Sequence, residues 1–119
     1  LRSIIEKKVD YGTHSALVVR QDGYDLKMLR SLSDNIVNLD PKIICVLASE
    51  TDGAGLCLVR VPKEFSSVHA RDIFNVVTDI AGGRGGGPNH MAQGGGLDPS
   101  KIDVALKQVD TYFHSLQLA

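Results

Sequence analysis

The segment Ser15-Ala16-Leu17-Val18-Val19-Arg20 is a short β-branched run closed by the turn residues Asp22-Gly23, and it predicts a first strand. From Asp25, a natural cap, the rhythm changes. Leu26, Leu29, Ile36 and Leu39, continued through Leu32 and Ser33, space out the apolar stripe of a helix. Asp40-Pro41 ends that helix, because the residue before a proline is pushed out of the α region. The runs Lys42 to Ala48 and Leu56 to Val61 are nearly unbroken in Ile, Val, Leu and Cys, the pattern of strands covered on both faces. They belong at the centre of a sheet. The short, turn-rich stretch from Glu50 to Gly55 predicts that they pair as an antiparallel hairpin.

A second helix has the cleanest period in the chain. Ala70, Ile73, Phe74, Val77, Ile80 and Ala81 fall at helical spacing, with Ser66 or Ser67 as cap and Gly82 as the C-terminal stop. A glycine-rich loop follows, holding a short strand around Met91 to Gly94. Asp98 as cap and Pro99 at the first helical position then open a third helix, whose stripe is Ile102, Ala105, Leu106, Val109, Tyr112, Phe113 and Leu116. The order of elements describes an α/β domain, a mixed sheet packed with helices. There are no internal repeats.

With 119 residues, 43% of them hydrophobic and 23% charged, the chain fits one domain with a modest core. The formal net charge is −1 and charge is evenly spread: up to Arg60 there are eight basic and eight acidic residues, and beyond it five and six. A basic platform gripping many phosphates is therefore excluded, since each neutralised phosphate needs its own Lys or Arg. No apolar run approaches the length of a bilayer span and no signal-peptide pattern is present, so a soluble protein without a membrane partner is expected, in the cytoplasm or an organelle. Residues Leu1 to Lys8, without an initiator Met, read as the tail of something longer, so a fragment is expected.

Cys45 and Cys57 each sit inside an apolar run and read as small buried hydrophobes rather than a disulfide or zinc ligands. His14, His69, His90 and His114 are scattered without metal-ligand spacing, so no metal and no cofactor is expected. His14, His69 and His114 read as solvated or capping side chains. No nucleophile-and-base pairing is visible.

His90 differs, because it lies inside the segment from Gly82 to Gly96, which holds eight of the twelve glycines. Glycine loses the most backbone entropy on folding, so such a run makes sense where backbone takes positive φ or approaches another surface closely. A dinucleotide fingerprint would follow a strand and open a helix, and a mononucleotide loop would carry Gly-Lys-Ser or Gly-Lys-Thr; neither pattern fits. The remaining expectation is a backbone-lined concavity with Arg84, Asn89, His90 and Gln93 as donors, suited to a phosphodiester or sugar edge. The competing reading is close packing of helices over the sheet edge. Both readings are compatible.

Gly82-Gly83-Arg84-Gly85-Gly86-Gly87-Pro88-Asn89-His90-Met91-Ala92-Gln93-Gly94-Gly95-Gly96, between two amphipathic helices, resembles the C-terminal domain of alanyl-tRNA synthetase. That family writes Gly-Gly-Lys/Arg-Gly-Gly-Gly, a basic residue, Pro, Asp or His, an apolar residue, then Ala-Gln and further Gly. The likeness extends through Lys27-Met28-Leu29-Arg30, Ile43 to Ser49 and Leu58 to Lys63. It implies the DHH-associated fold, with residues 1–14 as the end of a preceding helical segment or linker and 15–119 as the globular domain. It also implies a non-catalytic, nucleic-acid-binding domain that contacts the elbow of alanine-specific tRNA, links the aminoacylation and editing domains of the parent synthetase and, in some members, supports a homodimer. Carried over, the motif positions are Gly82, Gly83, Arg84, Gly85, Gly86, Gly87, His90, Ala92 and Gln93, and with the donor Asn89 the expected binding residues are Gly83, Arg84, Gly85, Gly86, Gly87, Asn89, His90 and Gln93. Pro88 and Asn89 replace the family's basic residue and proline, which removes one expected phosphate partner. The alternatives are the substrate-binding half of a DHH-type phosphodiesterase, which usually carries Gly-Gly-Gly-His, and an oligomerisation or interaction module.

Overall fold

A computed structural model of the chain describes residues 2–12 and 14–116. A six-stranded mixed sheet runs in the order β1-β2-β3-β4-β6-β5, with β1 at Val9–Asp10, β2 at Ser15–Arg20, β3 at Ile43–Thr51, β4 at Ala54–Arg60, β5 at Arg84–Gly86 and β6 at Met91–Leu97. Helix α2 (Leu26–Leu39) connects β2 to the parallel β3, and the other strand pairs are antiparallel. Helices α3 (Ala70–Ala81) and α4 (Ile102–Ser115) pack on each other, while α1 (Arg2–Ile5) is a single turn.

The central strands owe their position to composition. The first seven residues of β3 are buried, and alternation divides them between the two faces. Ile43, Cys45 and Leu47 join Leu17, Val19 and Leu58 under Leu29, Leu32 and Ile36 of α2. Ile44, Val46 and Ala48 join Cys57 and Val59 under Ile73, Phe74 and Val77 of α3 and Ile102, Val109 and Phe113 of α4. The sheet is thus a middle layer with one helix on one side and two on the other. The two cysteines fall on opposite faces, both as free thiols, and burial pushes each up to about 12.

Several local expectations are corrected. Thr51 pairs with Ala54, so the β3–β4 strands run into the stretch expected to be turn, and only Asp52-Gly53 remains as the loop. Both have positive φ, 52° and 79°, the two-residue turn whose twist matches that of the strands. Helix α2 is capped by the Asp25 side chain, which accepts from the Met28 N–H at 2.8 Å, but Leu39 leaves the stripe and is 57% exposed. Neither Ser66 nor Ser67 caps α3. His69 holds the cap position without a side-chain bond, and the Ala70 N–H donates instead to the Asn89 carbonyl at 2.8 Å. Gly82 stops α3 at φ 76°. Asp98 accepts from the Ser100 N–H and opens a 3-10 turn, Pro99–Lys101, which runs into α4.

His14 is not solvated. It is buried, stacked on Tyr11 at 5.1 Å between ring centroids and close to Phe113, while Tyr11 also meets His114 edge-on at 4.9 Å. An aromatic cluster therefore ties the N-terminal segment to the end of α4. Among the described residues no helix is long and apolar enough to cross a membrane.

Candidate functional site

The glycine segment is not a loop but a β-hairpin at the sheet edge. Residue pairs Arg84–Gly95, Gly85–Gly94 and Gly86–Gln93 join β5 to β6, and β6 continues to Leu97 rather than ending near Gly94. Paired residues on neighbouring strands share a face. Gly94 lies beside Cys57 and Gln93 beside Leu58, so the two faces of the hairpin continue the two faces of the sheet.

On the face toward α3 the glycines are there for room. A Cβ on Gly85 would stand 2.7 Å from Phe74 and from the Gly94 Cα, and one on Gly94 would meet the Gly85 Cα at 2.6 Å. The ring of Phe74 and the two strand backbones occupy the space that side chains would need. Gly83, at φ 99°, and Gly87 are likewise hemmed in, by Gly95, Leu97 and Met91.

The other face is open. Helix α2 lies over β3 and β4, and a Cβ on Gly86 would meet nothing within 4 Å. Gly86 leaves a ledge of bare backbone, bordered by the Leu56 side chain, which a Cβ on Gly95 would meet at 3.0 Å, and β5, as an edge strand, has one row of main-chain N–H and C=O groups with no strand of the described residues beside it. The Arg84 side chain, exposed and on this face, makes no hydrogen bond or ion pair among the described residues. Across from it, Arg30 of α2 donates from Nη1 to the Gln93 Oε1 at 2.9 Å. Arg60 is occupied by Asp34 and by Ser33 at 3.3 Å. Two cations, Arg84 and Arg30, thus face the ledge without an acidic partner among the described residues.

The expected site residues fall in three groups, the first of which, Gly83, Gly85 and Gly87, is hemmed in by neighbouring backbone and side chains and is a set of packing positions rather than part of the open ledge. Arg84, Gly86 and Gln93 share the ledge. Asn89 and His90 lie in the turn at the other end of the hairpin, about 13 Å along the strands from Arg84 at the usual rise per residue. There they line a depression of about 180 Å³ with Pro62, Lys63, Phe65, Ser66 and Val68. Their carbonyls are engaged: that of Asn89 receives the first N–H of α3, and that of His90 receives the Val61 N–H at 2.8 Å. The Gly87 carbonyl accepts from Arg71 Nη2 at 3.1 Å, which pins the turn to α3. Arg30, Lys63 and Arg71 were absent from the expected site. Arg30 and Lys63 had a signal, since they stand in the Lys27-Met28-Leu29-Arg30 and Leu58 to Lys63 stretches of the resemblance, whereas nothing in the local sequence links Arg71 to the glycine segment.

Among the described residues no group of three His, Cys, Asp or Glu side chains gathers to hold a metal. What this geometry offers is main-chain donors and acceptors, two guanidinium groups and an amide on an open surface, groups of the kind that can hold a phosphodiester or ribose.

Residues 13–115 match the DHHA1 domain family. The chain belongs to that family. The alanine–tRNA ligase of Staphylococcus epidermidis is 38% identical over 91 residues, covering 76% of this chain and 10% of the ligase. That of Acetivibrio thermocellus is 36% identical over 110 residues, covering 91% of this chain and 12% of the ligase. The C-Ala domain of Aquifex aeolicus alanyl-tRNA synthetase superposes with a TM-score of 0.80 at 27% identity, covering 91% of this chain and 98% of that domain. The DHHA1 chain therefore spans about a tenth of the ligases it matches, and its fold is that of the Aquifex aeolicus C-Ala domain. The resemblance read from the glycine segment and the mixed α/β architecture are both borne out.

Proposed function

We propose that this DHHA1 domain is the C-terminal accessory domain of an alanyl-tRNA synthetase and binds the elbow of alanine-specific tRNA through the open face of its glycine hairpin. The observation that carries this reading is the open backbone at Gly86, flanked by Gln93, Arg84 and Arg30. A ribose-phosphate chain has its charge at regular intervals and its hydroxyls between them. A strip of backbone lets it come close, while guanidinium groups fix its phosphates. Asn89, His90 and Lys63 at the turn supply a second polar cluster for the same strand. In this reading catalysis belongs to other domains of the parent synthetase, to which the domain is linked and whose aminoacylation and editing it brings to one tRNA.

Two cations on a chain of net charge −1 give a small electrostatic contribution. The isolated domain is expected to bind tRNA only in the micromolar range and to gain effective concentration from its tether. Titration of tRNA at several salt concentrations tests the reading with two variants that differ in kind. Gly86→Leu should lower affinity at every salt concentration with the fold retained, since the new side chain stands on the ledge. Arg84→Ala should lower the salt slope by about one unit, the loss of one phosphate contact. Wild-type affinity in both variants would move the RNA site away from the hairpin.

A further inference from the structure

The flank of α2 that faces away from the hairpin carries a shallow furrow of about 480 Å³, lined by Tyr24, Lys27, Met28, Ser31, Leu32 and Asn35. From Lys27 to Asn35 these positions recur at three- and four-residue spacing, so they form one stripe ~12 Å long. Leu32 is its buried floor, while half-buried Tyr24 and Met28, 43% exposed, are its apolar walls. Lys27, Ser31 and Asn35 are exposed along the rim, and Lys27 makes no ion pair among the described residues. No carboxylate lines the furrow.

An aromatic ring, a thioether, an ammonium, a hydroxyl and an amide in one small cleft match an unstacked nucleobase: a ring face to stack on, a cation for the phosphate, and donors and acceptors for the base edge. A docking helix is a poorer fit, because it inserts apolar anchors over several turns and here the apolar surface is confined to three side chains among polar neighbours. Charge leads from one surface to the other. Arg30 lies on the flank that meets the hairpin, and Met28, two residues and ~200° away, lies on the other, with Lys27 on the crest between them. We propose that the furrow is a second nucleic-acid contact, in which an unstacked base of the bound RNA lies against Tyr24 and Met28, Lys27 holds its phosphate, and Ser31 and Asn35 meet its edge. The proposal rests on the RNA-binding reading and adds to it a strand that crosses α2 from the hairpin ledge.

The test is a titration of the full chain with an RNA stem-loop carrying 2-aminopurine in its loop, read by fluorescence, with the Met28 methyl signal followed by NMR. Wild type should quench the 2-aminopurine, and the Met28 methyl signal should move. Tyr24→Ser should weaken binding about tenfold, within the range of one base–aromatic stack, and abolish the quenching. Ser31→Phe fills the furrow from an exposed position without touching the core, so it should do the same if Tyr24→Ser proves unstable. If Arg84→Ala weakens binding while Tyr24→Ser and Ser31→Phe bind as wild type, the furrow proposal is overturned and the hairpin reading stands. If the Met28 signal moves with protein concentration and not with RNA, the furrow joins two copies and the proposal is overturned. If no RNA binds, both readings fall together.

Discussion

His14 is polar in composition and buried in position, and that conflict has a measurable consequence. Burial holds its pKa below the ordinary 6.5, with a hydrogen bond to the Phe113 main chain and the nearby Asp10 acting against that shift. Well above pH 6.5 both the folded and the unfolded imidazole are neutral and the site adds no pH dependence. As the pH falls through 6.5 toward the lowered folded value, the unfolded chain takes up a proton that the folded chain resists, so stability declines. Urea midpoints at pH 7.5 and 5.5 should drop for wild type, and His14→Phe, which keeps a ring against Tyr11, should lessen the drop. An equal drop in both proteins would assign the pH dependence to another group. Reading the sequence placed His14 in solvent because a lone histidine beside a turn is usually there. The Tyr11 and Phe113 rings, with His114 on the far side of Tyr11, are brought from both ends of the chain and pack the buried imidazole.

At the scale of elements, the hairpin separates the two explanations that the glycines invite. Gly85 faces α3 and Gly86 faces away, so a single added methyl has opposite surroundings at adjacent positions. Gly85→Ala should cost roughly 1–3 kcal/mol, because the Cβ forces apart β5, β6 and the Phe74 ring. Gly86→Ala should be neutral or stabilise by about 0.5–1 kcal/mol, since it limits the unfolded chain without a clash in the folded one. Chemical denaturation of the two variants checks the pair, and equal midpoints would contradict the assignment of faces. The long helices and central strands were legible because their signal is local: a repeating stripe under α3, and seven apolar or small residues in a row for β3. The hairpin was not, because glycine carries no side chain whose alternation reports a strand, and its register is set by Leu56 to Arg60 of β4, more than thirty residues upstream. The candidate site was legible to the same extent. Its motif residues Arg84, Gly86 and Gln93 do share a face, while the opposing wall, Arg30 of α2, comes from another layer.

At the scale of the whole molecule, the question is what holds the α4 side and the strand ends in one register, and Arg20 at the end of β2 answers part of it. Its guanidinium reaches Asp22 at 2.8 Å, Glu50 of β3 at 3.1 Å and Asp103 of α4 at 3.1 Å, so one side chain, 21% exposed, joins two strands and a helix. Asp22 is in turn fixed by the Glu50 N–H at 2.9 Å, and the bond from Arg20, followed by this main-chain bond, holds its carboxyl below the ordinary carboxylate value. A depressed carboxylate contributes stability above its unfolded pKa of 3.8, and that contribution is lost as the pH falls through the lower folded value. Arg20→Gln removes the charge and leaves Asp22, Glu50 and Asp103 facing one another. It should destabilise the domain by about 1–2 kcal/mol at neutral pH, more than an isolated surface pair, because three partners share one partly buried cation. The same variant should lose less stability than wild type between pH 5 and pH 2, since Asp22 no longer has the Arg20 bond that its protonation would break. Thermal or urea unfolding across that range reads both effects. If the two proteins differ by a constant amount at every pH, the loss comes from packing of the arginine stem and the clasp between the layers is not electrostatic.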